Sequence, residues 1–185
     1  MPSVPDLPAD LEETIRFHGH LCPGLVLGYR AAHEALRRLG GIRAEDEELV
    51  AIVENDACGV DAVQVLTGCT FGKGNLVFRD HGKHVYTLAR RRDGKGVRLS
   101  ARAGRRPAEP GDSKEERARR LLAVPVDELF DVRETVGSLP EPARIHESIA
   151  CDACGEPTMA TRLREVGGRR LCIPCEVSAS SGRGA

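Results

Sequence analysis

The sequence predicts an α+β protein: a core of helices packed on a mainly antiparallel sheet, followed by a small domain of treble-clef or zinc-ribbon type. Three observations predict it. An apolar stripe with helical spacing starts at Pro23, three β-type runs separated by tight-turn sequences lie between Asn75 and Arg102, and four late cysteines fall into two C-x2-C pairs. The 185 residues suffice for one well-buried domain and an appendage. The expected division is a core over 1–138, a linker over 139–145, a finger over 146–178 and a disordered tail over 179–185. Trp is absent and aromatic residues make up 3%, so the core must rest on Leu, Val, Ile and Ala.

A short helix over Asp10–Arg16 leads into "FHGHLCPG". From Pro23 a longer helix follows, with Leu25, Tyr29, Ala32, Leu36 and Leu39 on one face; Pro23 suits the first turn and Gly40-Gly41 ends it. That places Cys22 at the helix N-terminus. "ELVAIVEND" predicts a buried strand ending near Glu54, and "DACGVDAVQVLTG" a turn into a helix over Val60–Thr67 stopped by Gly68. The runs Asn75–Arg79, Val85–Arg91 and Val97–Arg102, with "DHGK" and "DGKG" between them, read as an antiparallel meander. Ser113 with Glu116 three residues on is a capping-box pattern, opening a helix that must end near Pro125. "PVDELFDVRETV" holds one helical turn and a last strand, "LPEP" a stiff linker, and "SASSGRGA" nothing that could pack.

Lys and Arg number 27 against 28 Asp and Glu, which argues against a dedicated nucleic-acid binder. The basic run from Arg90 to Arg106 falls on an exposed hairpin and lacks aromatic residues suited to base stacking. The N-terminal stretch has no basic and apolar signal pattern, and no apolar run approaches the ~20 residues of a membrane-spanning helix. A cytoplasmic location is expected, where seven cysteines read as metal ligands or reactive thiols and not as disulfides.

Cys151, Cys154, Cys172 and Cys175 form C-x2-C-x17-C-x2-C. A two-residue gap lets one tight turn present two sulfurs to the same ion, and two such turns complete a tetrahedral zinc shell. Four thiolates leave no open position, so this zinc is structural.

The other cysteines are Cys22, Cys58 and Cys69. Cys22 and Cys58 each stand at a predicted helix N-terminus, where partial positive charge favours a thiolate. With His18 and His20 they would make a mixed core site open to water or substrate, in which Cys22 and Cys58 act as thiolate ligands and Asp61 carries protons. Such a site suits zinc, nickel or iron. The plainer reading is a solvent-exposed His-x-His and small buried cysteines. In an extended segment His18 and His20 would point to opposite sides, so that one alone would bind. Asp61, Gln64 and Thr67 share one helical face and either line a cleft or are simply wet. "GCTFGKGNL" with Lys73 reads either as an anion cradle or as a flexible connection. His33, His81, His84 and His146 are read as surface or packing residues.

"FHGHLCPGLVLGYRAA" together with "ENDACGVDAVQVLTGCTFGKGNL" resembles the FmdE family, named for formylmethanofuran dehydrogenase, over about residues 10 to 136, and the late cysteines resemble the finger that some members carry. The resemblance implies an α+β core, homodimers and a cleft lined by His18, His20, Cys22, Cys58, Asp61, Gln64, Thr67, Cys69 and Lys73, the last four contacting a small-molecule substrate. It further implies a metal-binding accessory or catalytic protein of one-carbon or molybdenum/tungsten-linked metabolism, joined to a larger oxidoreductase complex. No ferredoxin-type cysteine run is present. The alternative is a non-enzymatic sensor or carrier that docks on protein or nucleic acid through its finger.

Overall fold

The computed structural model describes residues 7–41, 43–104, 109–137 and 139–181. The chain forms two compact units, Met1–Ala143 and Arg144–Ala185. Among the described residues no helix is long and apolar enough to cross a membrane.

In the first unit, α1 (Ala9–His18) and α2 (Pro23–Leu39) are followed by β1 (Leu49–Val53), α3 (Gly59–Thr67), β2 (Leu76–Phe78), β3 (Val85–Arg90) and β4 (Lys95–Ala101), then α4 (Lys114–Ala123), α5 (Val126–Leu129) and β5 (Phe130–Val136). Local chemistry accounts for the helix ends. α2 starts with Pro23 after an N-cap Cys22 whose Sγ accepts the Leu25 N–H, and it ends on Gly40 at φ 101°. α4 carries the full capping box between Ser113 and Glu116. Its last carbonyls, of Leu121, Leu122 and Val124, accept from the Arg30 guanidinium of α2.

The helices cover one face of a five-stranded sheet in the order β2-β1-β3-β4-β5. On β4, Val97 and Leu99 are buried while Arg98 and Ser100, alternating with them, are half-buried, the alternation of a sheet covered on one face. The fold class is α+β and the sheet mainly antiparallel, as expected. The meander is not. Asn75–Arg79 does not hairpin onto Val85–Arg91; β1 lies between them and pairs in parallel with β2, Ala51 opposite Leu76. The "DHGK" bend carries the chain around the end of β1, with Arg79 N–H on the Val53 carbonyl and Lys83 N–H on that of Glu54. A turn sequence announces a reversal but does not choose the neighbouring strand, so β1-α3-β2 forms a parallel crossover.

Side chains fully buried in this unit include Leu11, Leu25, Val26, Val53, Leu99 and Phe130. α2 and α3 pack so closely that a Cβ on Gly28 would run into the backbone of Gly59. The basic hairpin is also less exposed than its sequence predicts. Arg90 donates to the Leu39 carbonyl and Asp93, Arg91 to the Pro140 carbonyl and Glu47, and Arg98 to Glu54. Arg105 and Arg106 lie outside the described residues.

The second unit pairs β6 (Ser148–Ala150) with β7 (Pro157–Met159) and β8 (Leu163–Val166) with β9 (Arg169–Cys172), and it ends in α6 (Ile173–Ser181). Gly167 and Gly168, both at positive φ, make the β8–β9 turn. Helix α6 runs through Ala179–Ser181, which were expected to be disordered. The Ser178 and Ser180 hydroxyls are satisfied by the carbonyls four residues back, so this polar stretch holds a helix. Residues 182–185 of the expected tail lie outside the described residues.

Candidate metal centre

The last turn of α1, the N-terminus of α2 and the first turn of α3 assemble the front cluster. His18 closes α1, and Gly19 at φ 97° reverses the chain, its N–H bonding to the Ile15 carbonyl at 2.7 Å. The segment is therefore not extended, and His18 and His20 do not diverge. Their rings stack with centroids 4.6 Å apart. Donor atoms of His18, His20 and Cys22 all lie within 4.8 Å of one another. His18 Nε2 is 3.9 Å from Cys22 Sγ, while His18 Nδ1 faces Asp61 Oδ2 at 2.7 Å. Two ligands on one tetrahedral zinc, one nitrogen and one sulfur, stand about 3.6 Å apart, so the spacing fits a borderline transition ion.

Cys58, in the turn before α3, has its thiol in hydrogen-bonding reach of Cys22, but it is not part of the tight trio. Burial first, and then the neighbouring Cys22, push the Cys58 thiol above its ordinary range. Cys58 has helical dihedrals and makes no cap hydrogen bond through its side chain.

Beside the cluster opens a pocket of about 430 Å³ at the carboxyl ends of the parallel pair β1 and β2. His18, Cys58, Asp61 and Gln64 line it together with Asp56, Phe71 and Phe78. Of the residues expected to contact substrate, Gln64 alone is on its wall. Thr67 is fully buried, with its hydroxyl donating to the Val63 carbonyl and accepting the Cys69 N–H. Cys69 is buried too, and burial raises its thiol. Lys73 Nζ donates to the carbonyls of Glu45 and Asp46 at 3.1 Å. The fully buried Asn75 laces the same loop through the Asp46 and Leu49 carbonyls. "GCTFGKGNL" is therefore a clamp on residues 44–49, and its lysine is not aimed at an anion.

Sequence reasoning missed Asn55, Asp56, Phe71 and Phe78. Asn55 shapes the strand-to-helix turn, with Nδ2 on the Lys83 carbonyl and Oδ1 on the Ala57 N–H. An "END" after an apolar run signals such a turn. Nothing local marks Phe71, 77% exposed, as part of a pocket rim.

The four finger cysteines also converge, all their sulfurs lying within 4.8 Å of one another and those of Cys154 and Cys172 at 3.9 Å. Backbone N–H groups, of Cys154 first, lower the Cys151 thiol to about 6, while Cys172 and Cys154 push Cys175 up to about 12. Crowding of four thiolates is what a divalent ion relieves.

The family model described as "FmdE, Molybdenum formylmethanofuran dehydrogenase operon" matches residues 17–131. The chain belongs to the FmdE family. The FmdE region is followed by a match to the prokaryotic dksA/traR C4-type zinc finger over residues 145–179, which with the four converging thiols makes the second unit a structural zinc finger. A crystal structure of a tungsten formylmethanofuran dehydrogenase FmdE-like protein from Syntrophus aciditrophicus is similar at a TM-score of 0.69 and 25% identity, covering 91% of both chains. An Archaeoglobus fulgidus protein named "Probable S-adenosyl-L-methionine-binding protein" is 36% identical over 91% of this chain. The chain spans about half (53%) of the length of that curated relative.

Proposed function

We propose that this FmdE-family chain holds one transition metal ion, zinc, nickel or iron, through His18, His20 and Cys22, with Cys58 completing the shell, and presents it to a small molecule in the adjoining pocket. The observation that carries this reading is the His18–Asp61 pair. A carboxylate on Nδ1 fixes the tautomer and leaves the Nε2 lone pair facing Cys22 Sγ. Such an ion would activate a water or polarise a carbonyl. Asp61 then holds His18 in place, and Gln64 and the apolar wall orient the small molecule. The role is accessory or catalytic, in one-carbon or molybdenum/tungsten-linked metabolism, in the cytoplasm, as a homodimer or in a larger oxidoreductase complex, with a finger of treble-clef type.

The test is metal content per chain in wild type and in Cys22→Ser/Cys58→Ser. A second metal beyond the finger zinc, lost in the variant, supports the reading; one zinc in both removes it.

The name of the Archaeoglobus relative favours a second reading, in which the pocket binds S-adenosyl-L-methionine as a sensor or carrier and the finger docks on protein or nucleic acid. Saturable binding of that compound, with nucleic-acid binding that falls steeply with salt, would favour this reading.

A further inference from the structure

The side chains lining the pocket beside the front cluster carry negative charge. Among its described lining residues are the carboxylates of Asp56 and Asp61 and no lysine or arginine. Its remaining wall is mostly apolar, from Val53, Val60 and Leu76 to the rings of Phe71 and Phe78. Those two rings are 77% and 44% exposed, which leaves them available to a ligand. The nearby hydrogen-bonding groups are largely committed: Asn55 to the backbone of Lys83 and Ala57, and Gln64 Oε1 to the Phe71 N–H. The Gln64 amide nitrogen remains a donor for a neutral acceptor.

A divalent ion held by Cys22 and Cys58 as thiolates would have its charge cancelled by them, leaving Asp56 and Asp61 as a negative surplus at the pocket wall. Cations are concentrated elsewhere in the unit, where Lys83, Arg98 and Arg102 line a separate concavity of about 700 Å³.

We infer that the pocket takes a neutral or cationic ligand with a planar apolar body, packed against the rings of Phe71 and Phe78 and drawn in by Asp56, and that it excludes oxyanions and carboxylates. Molybdate, tungstate and phosphorylated compounds are then not the cargo of this pocket. The inference rests on the proposed function for the choice of pocket, but the charge selectivity stands whether or not a metal is bound.

The test uses the full-length chain and a matched pair of probes, 2-phenylethylamine and 3-phenylpropionate, which share a ring and carry opposite charge. Binding is read by NMR at the Phe71 backbone amide and the Gln64 side-chain amide. The amine should bind at least tenfold tighter than the carboxylate. Asp56→Asn should bring the two toward parity, and Phe71→Ala, an exposed truncation, should weaken both. Equal or tighter binding of the carboxylate, an unchanged preference in Asp56→Asn, or no response to either probe would overturn the inference. Elemental analysis of the same samples separates the two claims. A missing second metal with the amine preference intact sinks the proposed function alone, and a present metal without the preference sinks this inference alone.

Discussion

His18 Nδ1 lies 2.7 Å from Asp61 Oδ2, and the other ring nitrogen of His18 faces Cys22 Sγ at 3.9 Å. The two residues are 43 positions apart in the chain and meet because α1 packs directly against α3. Removing the carboxylate frees the ring to rotate and to change tautomer. Asp61→Ala is expected to lower front-site metal affinity about 10- to 100-fold. Asp61→Asn, which keeps an acceptor oxygen, should lose less. Competition against a chromophoric chelator measures both.

Gly19 tests the backbone's share in the site. A Cβ there meets nothing within 4 Å, but φ is 97°, so Gly19→Ala strains the chain without a clash. The expected stability loss is about 1–2 kcal/mol. Metal affinity should fall as well, because the turn that folds His20 back onto His18 is disturbed. Urea unfolding and chelator competition on the same variant report the two effects.

Gly28 makes the opposite demand. Its φ is unremarkable, but α3 leaves no room for a side chain, and the neighbour is backbone that cannot swing aside. Gly28→Ala should destabilise the first unit by about 1–3 kcal/mol through overpacking. A shift in the urea midpoint at constant slope is the expected signature, and wild-type stability would refute the close approach of the two helices.

Glu34 gives a pH dependence with a definite sign. Hydrogen bonds from Arg37 lead the causes that hold its carboxyl down at about 2 against an ordinary 4.5, and Arg38 adds to them. A depressed pKa contributes stability that is complete above the unfolded value near 4.5 and is lost as pH falls toward 2. The arginine partners are partly exposed, which reduces the contribution to about 1–2 kcal/mol. Glu34→Gln should abolish this part of the acid dependence, as thermal melts at pH 6 and pH 3 would measure.

Removal of the finger zinc should unfold one unit and spare the other. Cys154→Ser, or strong chelation, is expected to release zinc and make residues 144–181 protease-sensitive, while the helices of the first unit persist by circular dichroism. Joint loss of both units would contradict their description as separate compact bodies.

Much of this fold was legible in the sequence where the signal is local. Pro23 and Gly40 bound α2, Ser113 and Glu116 open α4, and Gly68 stops α3, because each acts through its own backbone. Sheet order was not legible: what decides that β1 separates β2 from β3 is pairing at a distance, to which a turn sequence is blind. The site divides the same way. The His-x-His-x-Cys cluster is visible by proximity in sequence. Thr67 and Lys73 belong to the second motif, yet they turn inward to backbone carbonyls. Phe71 and Phe78 went unread because an exposed ring acquires meaning only from the pocket it borders.

The trio His18, His20 and Cys22 spans five consecutive positions, whereas the finger's two pairs are separated by a long hairpin. A chelate so local survives in the unfolded chain and can bind an ion there. Ligand binding stabilises a fold only by the difference between its affinity for the folded and the unfolded states. Loading the front site should therefore raise the melting temperature less than its affinity implies, whereas zinc in the finger converts most of its affinity into folding. The nascent chain exposes the whole trio before α3 is made, so an ion at the proposed front site would be acquired during synthesis, before Asp61 and Cys58 reach it.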